Sequence, residues 1–306
     1  MAWFEFADHA RPVRQYAPPA NGAAPDTWSV HLDHRAIPFK LIRKNPHIAR
    51  PVMVLLHGLG VTVATYHGIA PYLFESHDLL LVDYNGFSAS GAWPVGGVSM
   101  RMMAATVWAA ADALGIDAVS LAGASLGGGL AIMATLQRPG AVERIVLFNP
   151  AVYPQRLPFL YYVARTPLVG ELFMALLKPR KMIDGAAWVG YSSPDKMPAE
   201  LRRIYERNME PFENRIRFMD DIRQLPGSER EMRSYASQVA TLRQPILVIW
   251  GCQEKLLRYN AARRLAQDLP NVQYREFAAL AHAPHEENPG LIGPFVAEFL
   301  AAGGPR

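Results

Sequence analysis

A single cysteine, Cys252, stands among 306 residues, which excludes an internal disulfide and any cysteine-built zinc site. No apolar run reaches the ~18 residues that a membrane-spanning helix needs, so stable membrane insertion is not expected. The N-terminus lacks a basic region followed by an apolar run and a small-residue cleavage site, and a soluble cytoplasmic protein is the expectation. Charge of one sign is also missing. Lys and Arg number 31 against 27 acids, a net +4, and the two signs interleave, most densely across 200–233. Without an isolated basic block, nucleic acid is not an expected partner. No P-loop, no G-x-G-x-x-G and no spaced set of metal ligands is found, so neither cofactor nor metal is implied. Internal repeats and low-complexity segments are absent too. What is present is a globular composition, 50% hydrophobic and 19% charged. The length suits one α/β domain carrying an insertion.

Residues 1–26 hold Pro12, Pro18, Pro19 and Pro25 with little periodicity, and read as an arm or loop. Trp28–Leu32 and Ile37–Ile42 are β-like runs around Asp33-His34-Arg35, a hairpin pattern. Continuous apolar runs then end at His57, Asp83, Asn149 and Gly251, as strands buried on both faces of a parallel sheet do. Helical patterns separate them: Thr62–Phe74, Met100–Leu114, Leu126–Gln137, Asn260–Asp268 and Gly290–Ala302. Residues 151–240 break the rhythm, offering no buried strand but several helices punctuated by proline. The division expected is a core of 1–150 and 241–306 with 151–240 as an inserted helical cap or lid.

The chemistry centres on Val119-Ser-Leu-Ala-Gly-Ala-Ser-Leu-Gly-Gly-Gly-Leu130. A strand enters this stretch and a helix leaves it, with Gly123-Ala124-Ser125-Leu126-Gly127 between them matching the G-x-S-x-G nucleophile elbow. Glycines two positions either side remove the Cβ atoms that would collide in so tight a turn. The helix aims its first N–H groups at Ser125, where negative charge would develop during attack. A serine hydroxyl is barely ionised at neutral pH, so it needs a base within reach and an acid behind that base.

On these motifs the chain resembles the α/β-hydrolase superfamily, in its lid-bearing serine esterase and lipase-like branch. His57-Gly58-Leu59-Gly60 is similar to the family's oxyanion turn. Asp83-x-x-Gly86-x-x-x-Ser90 is similar to a family loop, with Ser88 in place of its second glycine. Ala281-His282-Ala283-Pro284-His285-x-Glu287-x-Pro289 resembles the histidine loop, with Ala281 where glycine is usual. The resemblance implies a mostly parallel central sheet flanked by helices. It also implies Ser125 as nucleophile, His282 as base, and the Leu59 and Leu126 amides as the oxyanion hole. Glu254, three residues past Gly251, falls where the family's acid usually sits, although aspartate is the commoner occupant. His57 and Asp83 are then structural, His285 begins the last helix, and Cys252 is expected as a buried small hydrophobe.

The implied substrate is a small molecule, a carboxylic ester with an apolar acyl or alcohol portion. Its roof would come from Phe159, Tyr161, Tyr162, Phe173 and Trp188. Two alternatives remain: a carbon–carbon bond hydrolase using the same three residues, and a non-catalytic receptor on the same scaffold. Pro158–Arg165 and Pro167–Lys178 read as helices opened by proline. The second gathers Leu168, Leu172, Phe173, Leu176 and Leu177 on one side. It fits either a helix packed permanently on the core or a flap that touches lipid.

Overall fold

The structure is a computed structural model that describes residues 11–12, 28–32, 35–45, 47–84, 99–154, 159–224 and 233–302. Among the described residues nine strands form one sheet, in the order β1-β2-β3-β5-β4-β6-β7-β8-β9. They are β1 Arg11–Pro12, β2 Trp28–Leu32, β3 Arg35–Ile42, β4 Val52–Leu56, β5 Asp78–Val82, β6 Val119–Ala124, β7 Val142–Phe148, β8 Ile246–Gly251 and β9 Val272–Phe277. From β5 through β9 every neighbouring pair is parallel. The β2–β3 hairpin joins antiparallel, pairing β3 with β5. The expected hairpin is there, its turn at 33–34 lying outside the described residues. Of the N-terminal arm, Arg11–Pro12 pairs with β2 as a short strand, and the rest lies outside the described residues.

Why continuous apolar runs become central strands is visible in where alternate side chains go. Val54, Leu56, Leu121, Leu147 and Val248 enter one core, and Met53, Leu55, Ala122, Phe148 and Ile249 the other. Both faces are covered, so both sets must be apolar. One face is covered by helices α2 Met100–Ala113 and α3 Leu126–Gln137. The other is covered by α1 Ala70–Phe74 and, packed against it, a C-terminal helix, Pro289–Ala301.

The helix expected over Thr62–Phe74 is instead two pieces. A 3-10 turn, Val63–Tyr66, precedes α1, whose second residue is Pro71. Proline lacks the N–H that would carry the first piece onward. Gly68, in the break, lies so close to Pro289 that a Cβ there would sit 2.9 Å from its ring.

Between β7 and β8 come α4 Phe159–Arg165, α5 Val169–Leu176, α6 Pro179–Gly190, α7 Ala199–Met209 and α8 Phe212–Gln224. Helix α5 starts two residues later than the proline suggested, because Leu168 precedes it with φ 65°. The charges of α7 and α8 pair within their helices, as at Asp220–Arg223, but also across elements. Arg202 reaches Asp184 at 2.9 Å and Arg223 reaches Glu171 at 2.8 Å. After β8 come α9 Tyr259–Asp268, a short α10 Pro284–Glu287, and α11, the C-terminal helix already described. Cys252 corrects an expectation: it is exposed, because the strand ends at Gly251 and the next residue already stands in the turn. No described helix is long and apolar enough to cross a membrane.

Candidate active site

The C-terminal ends of the central parallel strands meet at one edge of the sheet, where a doubly wound fold places its ligands. Ser125 follows β6 with φ 53° and ψ −118°, outside the regions open to ordinary residues. The turn is over-determined. The Ser125 N–H donates to the Phe148 carbonyl at 3.0 Å, and its own carbonyl accepts from Ala151 at 2.8 Å. Any Cβ at Gly127 would overlap the carbonyl oxygen of Leu56, so only glycine lets α3 approach β4 this closely. Leu126 opens α3, and its N–H has no intrahelical acceptor by position. Leu59 lies in the turn after β4, and both leucines line the same cavity as Ser125.

His282 lies in the loop between β9 and α10 and also faces that cavity. Its Nδ1 lies 2.6 Å from Glu254 Oε2. Glu254 belongs to the turn after β8, held by its other oxygen, which accepts from Leu256 N–H at 2.7 Å and Leu257 N–H at 3.1 Å. Burial disfavours the Glu254 carboxylate, but the His282 ring and these amides outweigh it, and the group sits below its ordinary range. Burial likewise disfavours the His282 imidazolium. The Glu254 charge and hydrogen bond overcome that, with a further contribution from Glu286, so the imidazole is more basic than usual.

Asn149 is the residue at which the apolar run of β7 ends. Here it is fully buried at the end of β7 with φ 38°, in the left-handed region that asparagine tolerates. Its Nδ2 donates to Glu254 Oε2 at 2.7 Å, the oxygen that meets His282, while its Oδ1 accepts from Gly251 N–H at 2.8 Å. Adjacent strands thus bring an amide and an acid together. The signal available was an asparagine immediately after a buried strand.

A second group was not foreseen. Glu286 is buried and accepts from the Thr65, Tyr191 and Tyr205 hydroxyls. Thr65 follows β4, while the tyrosines come from the block between β7 and β8, so this carboxyl joins that block to the histidine loop. Burial raises its pKa. Glu287, by contrast, was named in the histidine-loop motif. It accepts from Ala281 N–H at 3.0 Å and from the Ser192 backbone and hydroxyl, fixing the loop from the other side. Lys255 completes the join, donating to the carbonyls of Trp188 at 2.7 Å and Tyr191 at 2.9 Å, where α6 ends.

Two further histidines, His57 and His285, are buried. His57 is buried, stacked on Tyr84 at 4.2 Å, with Nδ1 donating to the Gly58 carbonyl; burial lowers its pKa to about 4. His285 is in the short α10, within 2.9 Å of Thr65 Oγ1, and burial lowers it to about 3. Asp83 is buried 3.9 Å from His57. Gly86, Ser88 and Ser90 of its loop lie outside the described residues.

The cavity holds about 650 Å³. Above Ser125 it is lined mainly by apolar side chains, among them Tyr161, Phe173, Met174, Met182 and Ile222. Tyr162 and Trp188 also line it, while the Phe159 side chain lies outside the described residues. Among the described residues no cluster of His, Cys, Asp and Glu could hold a metal ion.

The profile of the alpha/beta hydrolase fold family matches residues 51–289. The uncharacterised hydrolase YugF of Bacillus subtilis is 23% identical over 271 residues, 84% of this chain and 92% of that protein. A 2-hydroxy-6-oxononadienedioate/2-hydroxy-6-oxononatrienedioate hydrolase of Dechloromonas aromatica is 22% identical over 262 residues, 81% of this chain and 86% of that one. Among solved structures, the carboxylesterase CesB of Bacillus subtilis superposes with a TM-score of 0.71 at 19% identity, covering 92% of this chain and 93% of its own. The chain belongs to the alpha/beta hydrolase fold family and is a hydrolase.

Proposed function

We propose that the protein hydrolyses carboxylic esters with an apolar acyl or alcohol portion, through an acyl-enzyme on Ser125. One observation carries the reading: a serine strained outward at an elbow shares a cavity with an imidazole whose far nitrogen rests on a buried carboxylate. In this scheme Ser125 Oγ attacks the ester carbonyl as His282 Nε2 takes its proton. The tetrahedral oxyanion is met by the Leu59 and Leu126 amides, each such donor being worth about 3 kcal/mol in other hydrolases. His282 returns the proton to the leaving alcohol oxygen. It then takes one from water, which attacks the acyl-enzyme, and hands that proton to Ser125 Oγ as the carboxylic acid leaves. Glu254 holds the ring in the Nδ1–H tautomer and stabilises the imidazolium. Residues 151–240 act as a cap over a core of 1–150 and 241–306.

The Dechloromonas aromatica relative acts on a dicarboxylate, by its printed name. In this cavity the described lining residues offer one cation, Lys181, and an acid, Glu286. That charge balance favours an uncharged ester. A series of p-nitrophenyl esters of rising acyl length, run beside a vinylogous diketone, tests the reading. Turnover that rises with acyl length and exceeds that of the diketone is expected. Cleavage of the diketone alone would replace the ester reading, and no turnover by the folded protein would point to a receptor.

A further inference from the structure

Helix α5 has no polar face. Its sequence, Val169-Gly-Glu-Leu-Phe-Met-Ala-Leu176, is apolar all round apart from Glu171, a composition that ordinarily belongs to a buried helix. Only one side is covered. Gly170 and Met174 are buried, and Phe173 and Met174 line the cavity. On the other side Leu168 is 83% exposed, Leu172 61%, Leu176 74% and Val169 50%. Leu168, Leu172 and Leu176 are four residues apart, so they form one stripe along the helix. Leu168 holds its place at φ 65°, a left-handed conformation unfavourable for a leucine, directly before the helix. Scattered exposed hydrophobics are ordinary, whereas a contiguous stripe marks a contact surface.

We propose that this stripe docks on an anionic lipid surface. Charge decides between occupants. Lys178, Arg180 and Lys181 follow the stripe directly and are all exposed, a leucine ridge beside cations that suits anionic headgroups. Glu171, the one acid of α5, is engaged by Arg223 at 2.8 Å. Two copies of the chain meeting through the same patch about a two-fold axis would instead bring their basic segments together. Leu177, Lys181 and Met182, just past the stripe, line the cavity, so docking sets the roof of the site against the bilayer. An apolar ester dissolved in lipid then has a short path to Ser125. This delivery rests on the ester reading, but docking does not.

Binding is therefore measured without turnover, by sedimentation of the full protein with vesicles. Phosphatidylcholine alone is compared with phosphatidylcholine containing about 30% phosphatidylglycerol at near-physiological salt. The protein should partition at least ~10-fold more strongly onto the anionic vesicles. The triple change Leu168→Ser, Leu172→Ser and Leu176→Ser should lower partitioning at least ~10-fold while leaving turnover of a water-soluble short ester within about twofold. Lys178→Gln with Arg180→Gln should remove the preference for anionic lipid. Three results overturn the proposal: no binding to either vesicle, equal binding to both, or a triple variant that binds as well as the parent. A dimer in light scattering that the triple change splits into monomers also overturns it, in favour of a second copy.

Discussion

Glu254→Gln is the perturbation whose consequence follows most directly from the geometry. Glu254 Oε2 receives two donors, His282 Nδ1 and Asn149 Nδ2, at 2.6 and 2.7 Å. Oε1 receives the Leu256 and Leu257 amides. A glutamine keeps its oxygen on those amides, which turns its NH₂ group toward Asn149 and His282. Two N–H groups then face one another at Asn149, and His282 can keep a partner only by giving up its Nδ1 proton. The ring moves to the Nε2–H tautomer, which cannot take a proton from Ser125. In a serine protease the corresponding loss lowers kcat about 10⁴-fold, or about 5.5 kcal/mol. The side chains here are only 2% (Glu254) and 12% (His282) exposed, so water can do little to replace the lost charge, and about 10³–10⁴-fold is expected. The opposed amides should also destabilise the fold by about 1–3 kcal/mol. Glu254→Asp keeps the charge and the turn but retracts the carboxylate by a methylene, and should lose far less. The assay is kcat for both variants on one activated ester at one pH, with a thermal melt for folding. A glutamine variant within about tenfold of the parent would refute the reasoning.

Asn149→Ala removes one charge-assisted donor from Glu254 and should cost about 1.5–3 kcal/mol of stability, read from urea melts, with kcat falling only modestly. His282→Ala should remove nearly all turnover. His285→Ala should chiefly lower the melting temperature, by the loss of a buried ring stacked on Phe148 at 4.7 Å, and leave the folded enzyme active. The pH profile has a defined sign. Because the base role proposed for His282 needs an unprotonated ring and its pKa is raised, kcat/KM should rise with pH along a limb above the ordinary imidazole value of ~6.5. Glu286→Gln, which removes a smaller contribution to that basicity, should move the limb to lower pH, and a limb unmoved or raised would contradict the electrostatic account.

Much of the fold was legible because burial on both faces of a parallel sheet forces continuous apolar runs, as at Val52–Leu56 and Ile246–Gly251. The elbow glycines were legible for a similarly local reason: the turn at Ser125 leaves no room for side chains. What escaped depended on partners far along the chain. The break before α1 involves Pro289, and the hydrogen bond from Asn149 to Glu254 spans 105 residues through neighbouring strands. Glu286, inside the histidine loop, looked like a spacer until Thr65, Tyr191 and Tyr205 converged on it. Cys252 was misjudged because residue type favours burial, while its position one residue beyond β8 decides otherwise.

The central claim is a covalent acyl-enzyme on Ser125. Incubation with a fluorophosphonate, followed by peptide mass spectrometry, tests it most directly. One adduct is expected, on the peptide bearing Ser125, lost in Ser125→Ala and strongly slowed in His282→Ala. An adduct on any other residue, or labelling that survives Ser125→Ala, would contradict it.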